Sequence, residues 1–177
     1  YIPAKGKSFG VSYDWVFGGG PHKFNNFHAL TLDAKKVVGG DRFAFIPSVN
    51  IRYLIGDEVP VPFTNTIGGS MAGRYLDQQI PFIGINNAAA MQKILGVART
   101  DWRFKLLKNN YLTAIANYAL TCDEISEFKN LGEGVTDYFG CGVQYTYNSI
   151  VGPLSFNVHW SSYTHNFGLY LSLGFDF

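Results

Sequence analysis

The last nine residues, Leu169-Tyr170-Leu171-Ser172-Leu173-Gly174-Phe175-Asp176-Phe177, alternate between apolar and polar without a break. A pleated strand sends successive side chains to opposite faces. Leu169, Leu171, Leu173, Phe175 and Phe177 therefore line one wholly apolar face, with Tyr170, Ser172, Gly174 and Asp176 on the other. Such a strand needs two solvents. Its apolar face and its backbone edge are tolerated together where the strand closes a barrel whose outer face meets lipid. The pattern predicts the closing strand of an outer-membrane β-barrel, with Phe175 and Phe177 as a C-terminal assembly signal.

The remainder of the chain repeats the pattern. Alternating strands are predicted over residues 8–17, 27–38, 42–55, 98–106, 111–121, 138–148, 154–161 and 169–177, about eight in all. In the first, Phe9, Val11, Tyr13, Trp15 and Phe17 oppose Ser8, Gly10, Ser12 and Asp14. In the seventh, Leu154, Phe156, Val158 and Trp160 oppose Ser155, Asn157, His159 and Ser161. Pro47 falls on the apolar parity of the third strand, where its missing donor predicts a bulge or bend. Connections at Gly39 to Asp41, Lys108 to Asn110 and Ser149 to Pro153 are short and the alternate ones generally longer, the asymmetry of outer-membrane barrels. Tyr13, Trp15, Tyr53, Tyr111, Tyr138, Tyr147 and Trp160 lie near strand ends and are expected in interfacial girdles.

Composition separates this reading from a soluble antiparallel barrel or sandwich, whose strands alternate as cleanly. The chain is 47% hydrophobic and 16% aromatic, yet its mean hydropathy is +0.02 and charged residues make up 15%. No stretch approaches the roughly 18 consecutive apolar residues of a membrane helix. The polar parity carries Gly, Ser, Thr, Asn and Gln rather than the Lys and Glu of a water-facing surface. A net charge of +1 suggests no nucleic-acid partner. Tyr1, with no leader or anchor before it, is read as the start of a mature chain or of a portion of a longer one.

Residues 56–96 interrupt the alternation with a long irregular segment rich in Pro, Gly, Asn and Ala, and loops of that length are uncommon unless functional. The strand after it projects Arg99, Asp101, Arg103 and Lys105 to the polar face. That row is expected to be a structural ion-pair network packed against the long segment, or else to tune a pore. Gly68-Gly69-Ser70-Met71-Ala72 nearly fits the nucleophile elbow but lacks its fifth glycine and the strand-turn-helix setting, so Ser70 is read as a loop serine and no catalytic residue is assigned. His22, His28, His159 and His165 have no zinc-site spacing, and no metal or cofactor is expected. Cys122 and Cys141 are placed on the outward face of neighbouring strands, out of register, as free thiols.

Two stretches carry a resemblance. Ile67-Gly68-Gly69-Ser70-Met71-Ala72-Gly73-Arg74-Tyr75-Leu76, and the tail from Gly140-Cys141-Gly142-Val143-Gln144-Tyr145 through Gly152-Pro153-Leu154 to Phe177, resemble the C-terminal half of the BamA/TamA (bacterial surface antigen) barrel superfamily. Gly73-Arg74-Tyr75-Leu76 followed by Gln79-Ile80-Pro81-Phe82 is most similar to the barrel appended to patatin-like phospholipases of Bacteroidetes type. The resemblance implies an all-β antiparallel transmembrane barrel in which residues 1–177 supply the last eight of sixteen strands. It also implies that residues 56–96 form an extracellular loop folded into the lumen. In the superfamily that loop bears an Arg-Gly-Phe/Tyr motif whose arginine is held by acidic groups of the lumen. Here Gly73-Arg74-Tyr75 lacks the intervening glycine, and the role passes to Arg74. Physically, its guanidinium could pair bidentately with Asp101 or Asp14 and pin the loop, or it could be a solvated loop arginine.

Three functions remain open at this point. The first is a non-enzymatic outer-membrane module that anchors or exports an attached N-terminal lipase domain, any Ser-Asp dyad lying in that upstream part. The second is an assembly or translocation barrel for other proteins. The third is a small closed eight-stranded barrel, whose narrow lumen leaves little room for an inserted loop. Expected partners are outer-membrane lipid, the barrel assembly machinery during insertion, a covalently attached N-terminal domain and other members of an outer-membrane complex. Closure by two copies of the chain is a further possibility.

Overall fold

The structure, a computed structural model, describes residues 5–18, 24–69, 76–129, 134–150 and 152–174. Eight long strands make one antiparallel sheet: β1 (Gly6–Val16), β2 (Phe27–Gly39), β3 (Phe43–Ile55), β7 (Ile94–Leu107), β8 (Asn110–Cys122), β9 (Thr136–Ser149), β10 (Gly152–Ser161) and β11 (Phe167–Leu173). Each pairs with its neighbours in that order, so β1 and β11 are the edges and the sheet is not closed. No described helix is long and apolar enough to cross a membrane.

Burial is inverted relative to a water-soluble sheet. Along β10, Leu154, Phe156 and Val158 are exposed, whereas Ser155, Asn157, His159 and Ser161 are buried. The same holds on β3, where Val49, Ile51 and Ile55 are exposed while Arg52 and Leu54 are buried. An alternation that exposes its apolar side chains and hides its polar ones suits lipid on one side and a packed interior on the other. β1 is exposed on both parities along nearly its whole length.

The connections on one end are tight. Lys108 and Asn109 join β7 to β8, and Leu106 is extruded as a bulge between the pairs Lys105–Tyr111 and Leu107–Asn110. Ser149 pairs with Gly152 across a two-residue hairpin connection. That is shorter than the five-residue turn read from the sequence, because the strands run almost to the loop.

Several expectations are corrected. Pro47 makes no bulge: pairing with β2 lapses beside it but resumes at Val38–Phe45 in the register of Lys35–Ser48, so a donor is lost without a residue being inserted. The segment 56–96 is not irregular throughout. It contains a 3-10 turn (Val61–Phe63) and a small sheet of β4 (Thr66–Ile67), β5 (Gln79–Ile80) and β6 (Ala89–Ala90), with β4 central. β7 begins at Ile94, four residues before the predicted strand. Tyr111 and Tyr138 have the parity of the polar face, opposite Lys105 and Ala119 respectively, and so leave the expected girdle. Cys122 has outward parity, but it is fully buried beside the 3-10 turn Ile125–Lys129 rather than exposed.

Candidate functional site

The polar face of the sheet is occupied by the segment between β3 and β7. Its apolar side chains form a core with that face: Ile67, Ile80, Phe82, Ile85 and Ala89 of the segment pack with Leu95, Val97 and Ala119 of β7 and β8. The small sheet satisfies the backbone groups that such burial would otherwise orphan. Thr66 and Ile67 pair with Gln79 and Ile80 on one side and with Ala90 and Ala89 on the other.

One buried polar cluster ties the two ends of the segment together. Arg52, buried on β3, donates through Nη1 to Asn65 Oδ1 at 2.9 Å and to the Phe63 carbonyl at 3.1 Å. Asn65, with no exposure, donates through Nδ2 to the carbonyls of Gln92 and Lys93, both at 2.8 Å. Met91 N donates to Asn65 O, and Leu54 N to Lys93 O. Lys93 Nζ reaches back to the Gly56 carbonyl at 2.8 Å. A buried guanidinium is costly unless hydrogen-bonded, and here it uses that requirement to hold entrance and exit of the segment side by side.

A second set of contacts seats the middle of the segment on a ledge. Arg99, Asn117, Gly140 and Ser161 are successive register partners across β7, β8, β9 and β10. Ile83 N donates to Asn117 Oδ1 at 2.9 Å, and Ser161 Oγ donates to the Gly84 carbonyl at 2.9 Å. Both glycines are sterically obligatory. A Cβ on Gly140 would overlap the Ile83 carbonyl and come within 2.6 Å of Asn117 Nδ2. Gly84 has φ +99, and a Cβ there would lie 2.8 Å from the Trp160 carbonyl. Beside the ledge, residues 82–86 and Gly69 line a small pocket with Asn157, His159 and Tyr170. His159 Nδ1 and Asn157 Oδ1 are 2.8 Å apart, and Gly168 leaves the imidazole its space, since a Cβ there would lie 2.9 Å from His159 Cδ2.

The predicted charge row runs along β7 from the ledge toward the tight turn. Arg99 binds Asp101 two residues along its own strand, Nε to Oδ1 at 2.8 Å and Nη2 to Oδ2 at 3.1 Å. Arg103 is half-buried and Lys105 exposed, further toward the tight turn. Among the described residues, hydrogen bonds that seat the segment go to Arg52, Asn117, Thr121 and Ser161. Gly73, Arg74 and Tyr75, like Ser70, Phe175 and Phe177, lie outside the described residues. Of the histidines, His28 on the apolar face shares a hydrogen bond with Tyr13 and stacks on Trp15, His159 is on the polar face, and His22 lies outside the described residues. Cys122 and Cys141 are free thiols.

Arg52 and Asn117 are not among the site residues expected from the sequence, although the sequence carries signals for them. Arg52 is the only charged side chain among the polar-parity positions of β3, next to the long segment. Gly140 and Gly142 stand on the polar parity of a strand, where glycine often marks a close backbone approach.

No curated protein and no solved structure matches the chain. The model of one family, the OMP85 superfamily, matches residues 1–177. With an inverted antiparallel sheet and a match running its whole length, the chain belongs to the OMP85 superfamily of outer-membrane β-barrels, the BamA/TamA kind.

Proposed function

We infer that these eight strands are the C-terminal half of a sixteen-stranded barrel, that residues 56–96 fold into its lumen, and that the barrel inserts or moves polypeptides at the outer membrane. The observation that carries this is the occupied polar face. An eight-stranded barrel is just wide enough to be filled by its own side chains, whereas here a folded segment with its own small sheet already lies on the interior side. The two unpaired edges and the bare inner parity of β1 call for further strands. In that barrel the Arg99–Asp101 pair leaves Asp14 as the better partner for Arg74 in the Gly73-Arg74-Tyr75 motif. Phe175 and Phe177 serve as the signal recognised by the assembly machinery during insertion.

A second reading, in which the barrel anchors or exports an N-terminal patatin-like lipase domain, rests on Gly73-Arg74-Tyr75-Leu76 and Gln79-Ile80-Pro81-Phe82. The test is the intact mass of the protein from native outer membranes, followed by depletion. A polypeptide much heavier than 19.7 kDa supports the half-barrel, and a mass near that value overturns it. On depletion, falling levels of other outer-membrane barrels support the assembly role. Unchanged barrels with lost phospholipid hydrolysis support the lipase anchor instead.

A further inference from the structure

Charge is excluded from the apolar face with three exceptions. Among the described residues of the eight long strands, the Lys, Arg, Asp and Glu of that parity are Lys7 on β1, Lys36 on β2 and Asp137 on β9. Asp137 sits at the end of β9 near the long connection and accepts a hydrogen bond from Tyr118 Oη. The two lysines are at the opposite, tight-turn end. They are exposed and directly opposite each other in register. Lys5, exposed one residue before β1, has the same parity.

Like charges facing each other across an antiparallel pair are destabilising, their Cβ atoms being about 4.5–5.5 Å apart. The repulsion grows where lipid lowers the local dielectric. Among the described residues neither ammonium has a carboxylate within salt-bridge distance. The next pairs along the same two strands are Phe9–Ala34 and Val11–Leu32, an apolar strip that continues toward the middle of the sheet. A cationic pair heading an apolar strip matches a molecule with an anionic head and hydrocarbon tails.

We propose that Lys7 and Lys36 form a clamp for the phosphate of an anionic glycerophospholipid in the leaflet that faces the tight turns. Each ammonium offers three donors, so one phosphodiester bridging the pair removes their mutual repulsion and satisfies both. The acyl chains then lie along Phe9, Val11, Leu32 and Ala34. Tight turns mark the periplasmic side of such barrels, so the lipid belongs to the inner leaflet. This goes beyond the role of the lumen and stands whether the barrel assembles proteins or anchors a domain.

The test uses the full-length protein in detergent, titrated with phosphatidylglycerol and with phosphatidylcholine of the same acyl chains, retained lipids being counted by native mass spectrometry. The wild type is expected to retain phosphatidylglycerol preferentially. The preference should fall about fivefold for each lysine removed in K7Q and K36Q, and K7R/K36R should keep it. Equal retention of the two lipids by the wild type overturns the proposal. So does an undiminished preference in either single Gln variant that shows the wild-type heat-modifiable mobility.

Discussion

Gly140 makes a demand that no other residue type meets, because the backbone of Ile83 crosses the sheet directly above it. Gly140→Val places a branched side chain where the Ile83 carbonyl and the Asn117 amide now lie. The expected cost is about 1–3 kcal/mol, the usual penalty for overpacking a filled site. The effect should be local, with new protease cleavage around residues 82–86 while the strands keep their heat-modifiable mobility. Arg52→Ala acts differently, since it removes a donor rather than space. It leaves Asn65 Oδ1 and the Phe63 carbonyl without their guanidinium partner, at about 1–3 kcal/mol for buried groups deprived of a hydrogen bond. Faster hydrogen exchange at the Met91 and Leu54 amides, which close the neck of the segment, is the expected reading.

At the scale of the element, β10 shows the principle of the whole sheet in ten residues. Val158→Arg puts a charge into the apolar band, and in a barrel of this kind that costs about 2–4 kcal/mol near the bilayer midplane. Refolding into lipid vesicles at graded denaturant should show the loss, and Val158→Leu should not. Faces of this sort are legible in sequence because a period of two needs no knowledge of the neighbours, and Leu154 to Ser161 reads the same in both. The two-residue strands β4, β5 and β6 are not legible, since two residues have no period and their pairing joins positions as far apart as Thr66 and Ala90. Cys122, beside a five-residue 3-10 turn, and its register partner Ile94 have outward parity yet are buried, which parity cannot announce. Tyr111 and Tyr138 lie near strand ends, but their alternation, not their closeness to an end, decides the face they take. Of the site itself, the sequence showed the long segment and the polar parity beneath it, but not that Arg52 and Asn65 would close its neck.

At the scale of the molecule, register determines shape. A single row of partners runs from Ser8 and Lys35 through Ser48, Arg99, Asn117 and Gly140 to Ser161. It begins near the tight-turn end of β1 and β2 and finishes at the far end of β10. Such a stagger is the shear that a closing barrel requires, and it brings the ledge under residues 82–85 into line with the Arg99–Asp101 pair. Within this sheared sheet the two cysteines occupy opposite situations. Cys122 is sealed beneath its turn, while Cys141 stands half-exposed on the apolar face, paired with Trp160. The chain thereby carries its own depth gauge. In vesicles, a lipid-soluble maleimide should alkylate Cys141 and a sulfonated one should alkylate neither thiol of this chain. Denaturant should then release Cys122 as a second, previously silent equivalent, so that one mass spectrum before and after unfolding reports which side of the wall each thiol occupies.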